Sequence, residues 1–213
     1  MHPVSFEVQA TEGTARAGLA TTAHGTYTTP CFMPVGTRGA VRYLSAVDYE
    51  DLGAQIVLGN TYHLMLRPGA DTVEALGGLG KFASWGGLTL TDSGGFQAWS
   101  MTEGTKLTEE GVEFRSFVDG SKVMLSPERS IAVQNAIGSD IMMAFDDCPP
   151  ALRPEQDPAD PQLSRKRRSK PEDHERRLRE AIDRTARWLG RCIAAHVSSW
   201  TPSASGTWWY TTA

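Results

Sequence analysis

Short apolar runs recur along the first 150 residues, and each one ends in glycine or polar residues. The runs cover residues 32–35, 56–58, 88–90 and 141–145. Apolar runs of this length, bounded by turn residues, are typical of buried β-strands. We therefore predict a strand at each of these four places.

Stretches with helix signals lie between the apolar runs. Each combines apolar periodicity with a capping residue before it or glycine after it. The first segment, 46–52, follows Ser45 and precedes Gly53. The second, 70–76, precedes Gly77 and Gly78, and the third runs from Ser126 and Pro127 to Gly138. Strand and helix thus alternate about four times, which favours parallel βα units.

Polar side chains follow three of the predicted strands, at Asn60, Asp92 and Asp146. Because the C-terminal ends of parallel strands meet at one face, we expect these side chains to converge as in a barrel-type active face. Two carboxylates and an amide suit general acid/base catalysis or recognition of a planar edge that donates paired hydrogen bonds. A Mg²⁺ site and a barrel hydrolase with Asp92 and Asp146 as an acid/base pair are the alternatives.

Residues 90–97, Leu-Thr-Asp-Ser-Gly-Gly-Phe-Gln, are the most informative stretch. Asp92 would project from the tip of a strand, and the two glycines would let a ligand approach the backbone. Phe96 offers a ring face to a planar group, and Gln97 offers an amide. The alternative is a simple turn in which Asp92 caps backbone N–H groups and Phe96 fills the core.

A series of short motifs occurs in order within residues 5–150. They are Val35-Gly36-Thr37, LGNTYHL at 58–64, Arg67-Pro68-Gly69, LTDSGGFQ at 90–97, Ser126-Pro127-Glu128, GSDI at 138–141 and AFDDC at 144–148. In this order the motifs resemble the bacterial tRNA-guanine transglycosylase family, also called queuine tRNA-ribosyltransferases. Residues 186–189 also resemble a later helix of that family.

The resemblance implies an α/β fold of the (β/α)₈ TIM-barrel type, of which this chain would form about the first half behind an N-terminal β-hairpin region. It also implies exchange of guanine at the tRNA wobble position for a 7-deazaguanine base of the preQ1 type, in queuosine biosynthesis. By this resemblance Asp92 is the acid/base residue, and Asn60 and Ser93 lie beside it. Phe96 would stack on the base, and Asp146 would recognise its edge. Cys148 would belong to a pocket that prefers preQ1 to queuine.

Members of the family are nearly twice this length, and the resemblance ends near His196. The family's nucleophilic aspartate, its Gln-Gly-Gly segment and its Cys-and-His zinc site would lie outside the matched part. We therefore expect an incomplete enzyme that is inactive alone, with no cofactor and no metal ligands in this chain. A non-catalytic remnant that binds tRNA or a partner protein is the alternative.

Four segments are predicted: the transglycosylase region 1–150, a charged Pro-rich loop 151–170, a barrel-exterior helix 171–196 and an unmatched tail 197–213. The basic run 165–170 would either contact tRNA phosphates or be a solvated linker. The helix is predicted from the spacing of its apolar residues, which are Leu178, Ile182, Trp188, Leu189 and Ile193. The tail is interpreted either as an aromatic binding platform or as a truncation or shifted reading frame.

Composition changes this interpretation little. The formal net charge of -4 is not that of a typical nucleic-acid-binding domain, so tRNA contacts would depend on local basic patches. Three separated cysteines indicate no disulfide framework, and no apolar run is long enough for a membrane span. We expect a cytoplasmic protein whose partners are tRNA and a 7-deazaguanine base, with a homodimer as an open alternative.

Overall fold

The computed structural model describes residues 4–101, 104–149 and 171–199. Its strands are β1 (Ser5–Glu12), β2 (Ala15–Thr21), β3 (Thr26–Thr29), β4 (Ile56–Gly59), β5 (Leu88–Thr91), β6 (Lys106–Leu107), β7 (Val112–Arg115), β8 (Lys122–Leu125) and β9 (Ile141–Met142). Its helices are α1 (Ala46–Asp51), α2 (Thr61–Leu66), α3 (Ala70–Ala75), α4 (Leu79–Phe82), α5 (Gly95–Ser100), α6 (Pro127–Ile137) and α7 (Pro171–Ser199). The predicted loop 151–170 and most of the tail 197–213 lie outside the described residues.

A parallel sheet with the strand order β4-β5-β9 forms the centre of the described structure. Gly59 of β4 pairs with Thr91 of β5, and Thr91 pairs with Met142 of β9. This confirms the predicted parallel strands at 56–58 and 88–90. The described part is thus a mixed α/β structure with a parallel sheet.

Two of the predicted strands are shorter than expected. Of residues 32–35, only Val35 joins the sheet, through an isolated parallel bridge to Leu58, and Phe32 is exposed. Prolines 30 and 34 lack the N–H groups that a longer ladder needs. Residues 143–145 are not part of β9: the N–H of Met143 still donates to the backbone oxygen of Thr91, but both backbone groups of Met143 also bond to the side chain of Gln134 on α6.

Two antiparallel sheets flank the parallel one. The N-terminal sheet β1-β2-β3 contains the predicted hairpin, and its Ala20 and Tyr27 pack on Ile56, Leu88 and Ile141 of the parallel strands. The sheet β6-β7-β8 lies between α5 and α6 in the chain and was not expected from the apolar pattern of the sequence. Its inward side chains belong to the largest core cluster.

The helix ends follow the predicted capping residues. Ser45 caps α1 and forms a reciprocal capping box with Asp48. Ser126 caps α6 by accepting a hydrogen bond from the backbone N–H of Arg129, and Gly138 ends the helix in the left-handed conformation. Local sequence therefore determines these boundaries.

Helix α7 confirms the predicted helix over 171–196, but the buried face differs from the predicted one. Ile182 and Ile193 are exposed, whereas the buried side chains recur at heptad-like spacing and are His174, Ala181, Trp188, Cys192 and His196. Trp188 is fully buried, and its Nε1 donates a hydrogen bond to the backbone oxygen of Glu109 over 2.7 Å. Its ring lies 4.9 Å from that of Phe145, centroid to centroid.

Replacement of Trp188 by alanine tests whether this contact holds α7 in place. We expect Trp188→Ala to lower the free energy of unfolding by about 3–5 kcal/mol, because it leaves a large cavity in the core. Ile182→Ala is the matched control on the same helix and is expected to change stability by less than about 0.5 kcal/mol, since Ile182 is exposed. Urea denaturation of both variants measures the difference; equal effects would contradict this packing.

Candidate active site

The C-terminal edge of the parallel sheet brings together the polar residues that were predicted to converge. Asn60 follows β4, Asp92 follows β5, and Asp146 comes four residues after β9. All three are partly buried. The side chains of Asn60 and Asp92 are in direct contact, and Ser93 connects this pair to Asp146.

Asp92 is surrounded by neutral hydrogen-bond donors. Its Oδ2 accepts from Nδ2 of Asn60 at 2.5 Å and from Nε2 of Gln97 at 3.0 Å. Its Oδ1 accepts from the backbone N–H of Thr61 at the start of α2, over 2.8 Å. The carboxylate is therefore fixed between β4, α2 and α5.

Burial raises the pKa of Asp92 above its ordinary value. The hydrogen bonds from Asn60, Thr61 and Gln97 act in the opposite direction, because they favour the charged form, but they do not offset the loss of solvation. A carboxyl group with a raised pKa is better matched to proton transfer near neutral pH than an exposed one.

Asp146 holds a second, separate cluster. Its Oδ1 accepts from Oγ of Ser93 at 2.9 Å, and its Oδ2 accepts from Sγ of Cys148 at 2.7 Å. Burial and the Asp146 charge raise the pKa of the Cys148 thiol. Cys148 therefore acts here as a neutral hydrogen-bond donor.

Gly94 and Gly95 lie between the Asp92 and Asp146 clusters, where other backbone segments come too close for a side chain. Gly94 has φ of 77°, in the left-handed region, and a Cβ there would lie 3.1 Å from the backbone nitrogen of Tyr62. A Cβ on Gly95 would lie 2.9 Å from the backbone oxygen of Asp146. Larger residues would push α5 away from α2 and from the segment that carries Asp146.

Phe96 is the second residue of α5 and is 53% exposed. The expectation that Phe96 fills the core is therefore wrong, whereas Asp92 does accept from a backbone N–H, that of Thr61. An exposed ring one residue beyond the glycine pair is available to stack on a planar ligand.

Sequence reasoning missed the buried polar residues that support the site from α6. The amide of the fully buried Gln134 accepts from Oγ1 of Thr91 at 2.9 Å and donates to the backbone oxygen of Met143 at 2.9 Å. Oγ of Ser130 donates to the backbone oxygen of Ser93. The sequence offered one signal for them: the polar residues Ser130 and Gln134 stand among the apolar positions of the helix predicted after Ser126.

Metal binding is not indicated by the described residues, among which no group of three or more His, Cys, Asp or Glu is placed to hold a metal ion. The arrangement instead presents two carboxylates, several neutral amide or hydroxyl groups and one exposed ring. Such a set suits recognition of a flat, hydrogen-bonding molecule and transfer of a proton to or from it.

The sequence profile of queuine tRNA-ribosyltransferase matches residues 11–208. The chain belongs to this family. Queuine tRNA-ribosyltransferases from Fusobacterium nucleatum and Thermus thermophilus are 46% and 47% identical to it over 194 and 195 residues. These alignments cover 91% and 92% of this chain but 47% and 46% of the relatives.

A queuine tRNA-ribosyltransferase from Staphylococcus epidermidis is similarly 47% identical over 182 residues, which cover 85% of this chain and 43% of the relative. The chain thus spans about half the length of the curated relatives it matches. The profile match also runs past His196, where the resemblance was expected to end, and so includes part of the tail 197–213 that was predicted to be unmatched. No helix in the described ranges combines the length and the apolar character that crossing a bilayer requires.

The raised pKa of Asp92 gives a prediction with a definite sign. The carboxyl group is expected to titrate above its ordinary value of 3.8, and Asn60→Ala is expected to raise the pKa further by removing a donor that favours the anion. Between the pKa of Asp92 in the unfolded chain and its higher pKa in the folded chain, the folded state binds more protons. The free energy of unfolding therefore falls as pH rises through that interval.

Carboxyl ¹³C chemical shifts followed by NMR as a function of pH measure the pKa of Asp92. Gln55→Ala is the control, because the Gln55 amide bonds to Thr28 on β3, away from the site. A pKa at or below 3.8, or no response to Asn60→Ala, would show that burial does not dominate at Asp92.

Proposed function

We propose that this chain carries the base-recognition and proton-handling half of a tRNA-guanine transglycosylase. The reaction exchanges guanine at the anticodon wobble position for a 7-deazaguanine base of the preQ1 type. Family membership and the clustering of Asn60, Asp92, Ser93 and Asp146 at one edge of the sheet support this proposal. The observation that carries it is the half-buried Asp92, which is held only by neutral donors next to an exposed ring.

Asp92 is the acid/base residue in this proposal. It takes up or gives back the proton of the departing or incoming base at the C-terminal end of β5. Its raised pKa makes the protonated form accessible closer to neutral pH than for an exposed aspartate. Asn60 and Gln97 keep the carboxylate in one orientation through both protonation states.

Asp146 recognises the edge of the base. The amino-pyrimidinone edge of guanine offers adjacent N–H donors, and a carboxylate can accept both in a fork. Ser93 and Cys148 each donate one hydrogen bond to Asp146, and each carboxylate oxygen has a further lone pair for the ligand. Cys148 would also limit the space beside the base, which favours the small preQ1 group over queuine.

The rest of the proposal extends beyond the described residues. We propose that the parallel sheet is part of a (β/α)₈ barrel and that tRNA is the macromolecular substrate, which implies a cytoplasmic location. A homodimer is compatible with this arrangement. We assign neither the nucleophile nor zinc ligands to this chain, and no step proposed here depends on a metal ion.

Exchange of radiolabelled guanine into an anticodon stem-loop tests the proposal directly. Incorporation that is lost in Asp92→Asn, which keeps the shape of the side chain but cannot exchange a proton, would support the role of Asp92. Binding of guanine to the chain alone, measured by calorimetry, tests recognition separately. We expect Asp146→Asn to abolish this binding.

The combinations of results separate the two candidate functions. Exchange that depends on Asp92 would establish catalysis by this chain. Guanine binding that depends on Asp146 without exchange would instead indicate a binding remnant of the family. Absence of both from a folded chain would contradict the proposal.

Phe96 provides an independent prediction about recognition. Phe96→Ala is expected to weaken guanine binding by about 1–3 kcal/mol, because it removes the stacking surface, whereas Phe96→Tyr is expected to preserve it. Calorimetric dissociation constants of the two variants provide the comparison. Since Phe96 is exposed, neither change is expected to alter the thermal unfolding midpoint appreciably. Equal affinities would mean that the ring does not contact the base.

A further inference from the structure

Asp147 is a buried charged group next to the site that the proposed reaction does not use. Its side chain is 2% exposed. Both Nη atoms of Arg177 donate to it in a fork, over 2.8 and 2.5 Å, and Nη1 of Arg184 donates over 2.5 Å. One carboxylate therefore has two guanidinium partners, both on α7.

Helix α7 also holds the backbone at this position. The N–H of Asp147 donates to Oγ1 of Thr185 over 3.0 Å, and the N–H of Phe145 donates to the thiol of Cys192 over 3.3 Å. The Phe145 ring packs on Trp188. The segment from 145 to 147 is thus attached to successive turns of one helix.

The side chains of this segment alternate in direction. Phe145 and Asp147 are buried against α7, whereas Asp146 and Cys148 are only partly buried. Asp146 accepts hydrogen bonds from both Cys148 and Ser93. Such alternation is the geometry of extended backbone. Anchoring the odd-numbered residues to α7 therefore fixes where the even-numbered ones point.

The charges make the anchoring specific. A buried carboxylate needs compensation, and removal of one member of a buried ion pair leaves the others uncompensated. Arg177 and Arg184 are mostly buried, and the other nearby carboxylate of Arg184 is Glu109, whose Oε2 lies 3.6 Å from Nε. Without Asp147, two cationic groups would remain next to the segment that carries Asp146.

We propose that Asp147 is a positioning residue for base recognition. This proposal rests on the proposed function, because Asp147 acts through Asp146 and Cys148. The ion pairs of Asp147 with Arg177 and Arg184 make α7 part of the base site without any contact between α7 and the base. They also keep both arginines from turning towards Asp146, whose oxygens must stay available to the ligand.

The experiment compares four variants of the full chain: Asp147→Asn, Asp147→Glu, Arg177→Lys and Arg179→Gln. Arg177→Lys keeps the charge but cannot form the fork, so it tests geometry alone. Arg179→Gln is the control, because Arg179 lies on α7 but is exposed and pairs with Glu175, which contacts neither Asp147 nor Arg184 in the described residues. Circular dichroism and thermal unfolding establish which variants fold.

Two readouts are used. The first is the calorimetric dissociation constant for guanine, which we expect to rise about tenfold or more in Asp147→Asn and Arg177→Lys, as for other residues that orient a binding group. Asp147→Glu is expected to recover most of the affinity, and Arg179→Gln to leave it unchanged. The second is the rate of Cys148 alkylation by iodoacetamide, measured by peptide mass spectrometry with Cys31 as internal reference.

Arg177→Lys is expected to increase the alkylation rate of Cys148 relative to Cys31, because the segment is no longer fixed while the local charge is unchanged. If Asp147→Asn does not fold, Arg177→Lys decides the question. A folded Arg177→Lys variant with unchanged affinity and unchanged alkylation would overturn the proposal. If Asp146→Asn itself does not affect guanine binding, the proposed function fails, and the alkylation rates still show whether α7 fixes the segment.

Discussion

The parallel register of three short strands is the constraint on which the site depends. Gly59 lies opposite Thr91, and Thr91 opposite Met142, so the chain leaves β4, β5 and β9 at one edge. A shift of one residue in either pairing would turn the strand side chains to the opposite face. Because β9 has only two residues, its backbone hydrogen bonds to β5 alone fix this register only weakly. The buried amide of Gln134 supplies the remaining constraint by bonding to Thr91 and to Met143.

Two helices, α6 and α7, therefore support the site, although none of the proposed binding groups lies on them. Helix α6 fixes the exits of β5 and β9 through Ser130 and Gln134. Helix α7 fixes the segment after β9 through its packing on Phe145 and its ion pairs to Asp147. The fully buried Trp188 joins α7 to the sheet β6-β7-β8 by its contacts in the same core cluster. Rigid support of this kind is what binding groups on loops require to keep their geometry.

Features set by local sequence were predictable, and those set by distant contacts were not. The caps at Ser45, Ser126 and Gly138 depend on neighbouring residues, and so does the position of Asp92 after an apolar strand. The buried face of α7 depends instead on Asp147, far away in sequence, which draws Arg177 and Arg184 inward while Ile182 stays exposed. The sheet β6-β7-β8 was missed because its strands are two to four residues long and carry charged side chains.

The carboxylates of Asp92 and Asp147 differ in the charge of their partners, and this difference fits the two roles proposed for them. Asp92 is surrounded by amides and a backbone N–H, which are neutral, so desolvation prevails and its pKa rises. Asp147 is surrounded by two guanidinium groups, which bind a carboxylate strongly and directionally. A residue that exchanges protons needs an environment in which both protonation states are accessible, and neutral partners provide it. A residue that fixes backbone needs partners that hold its side chain in one place, and the forked hydrogen bonds from Arg177 provide that.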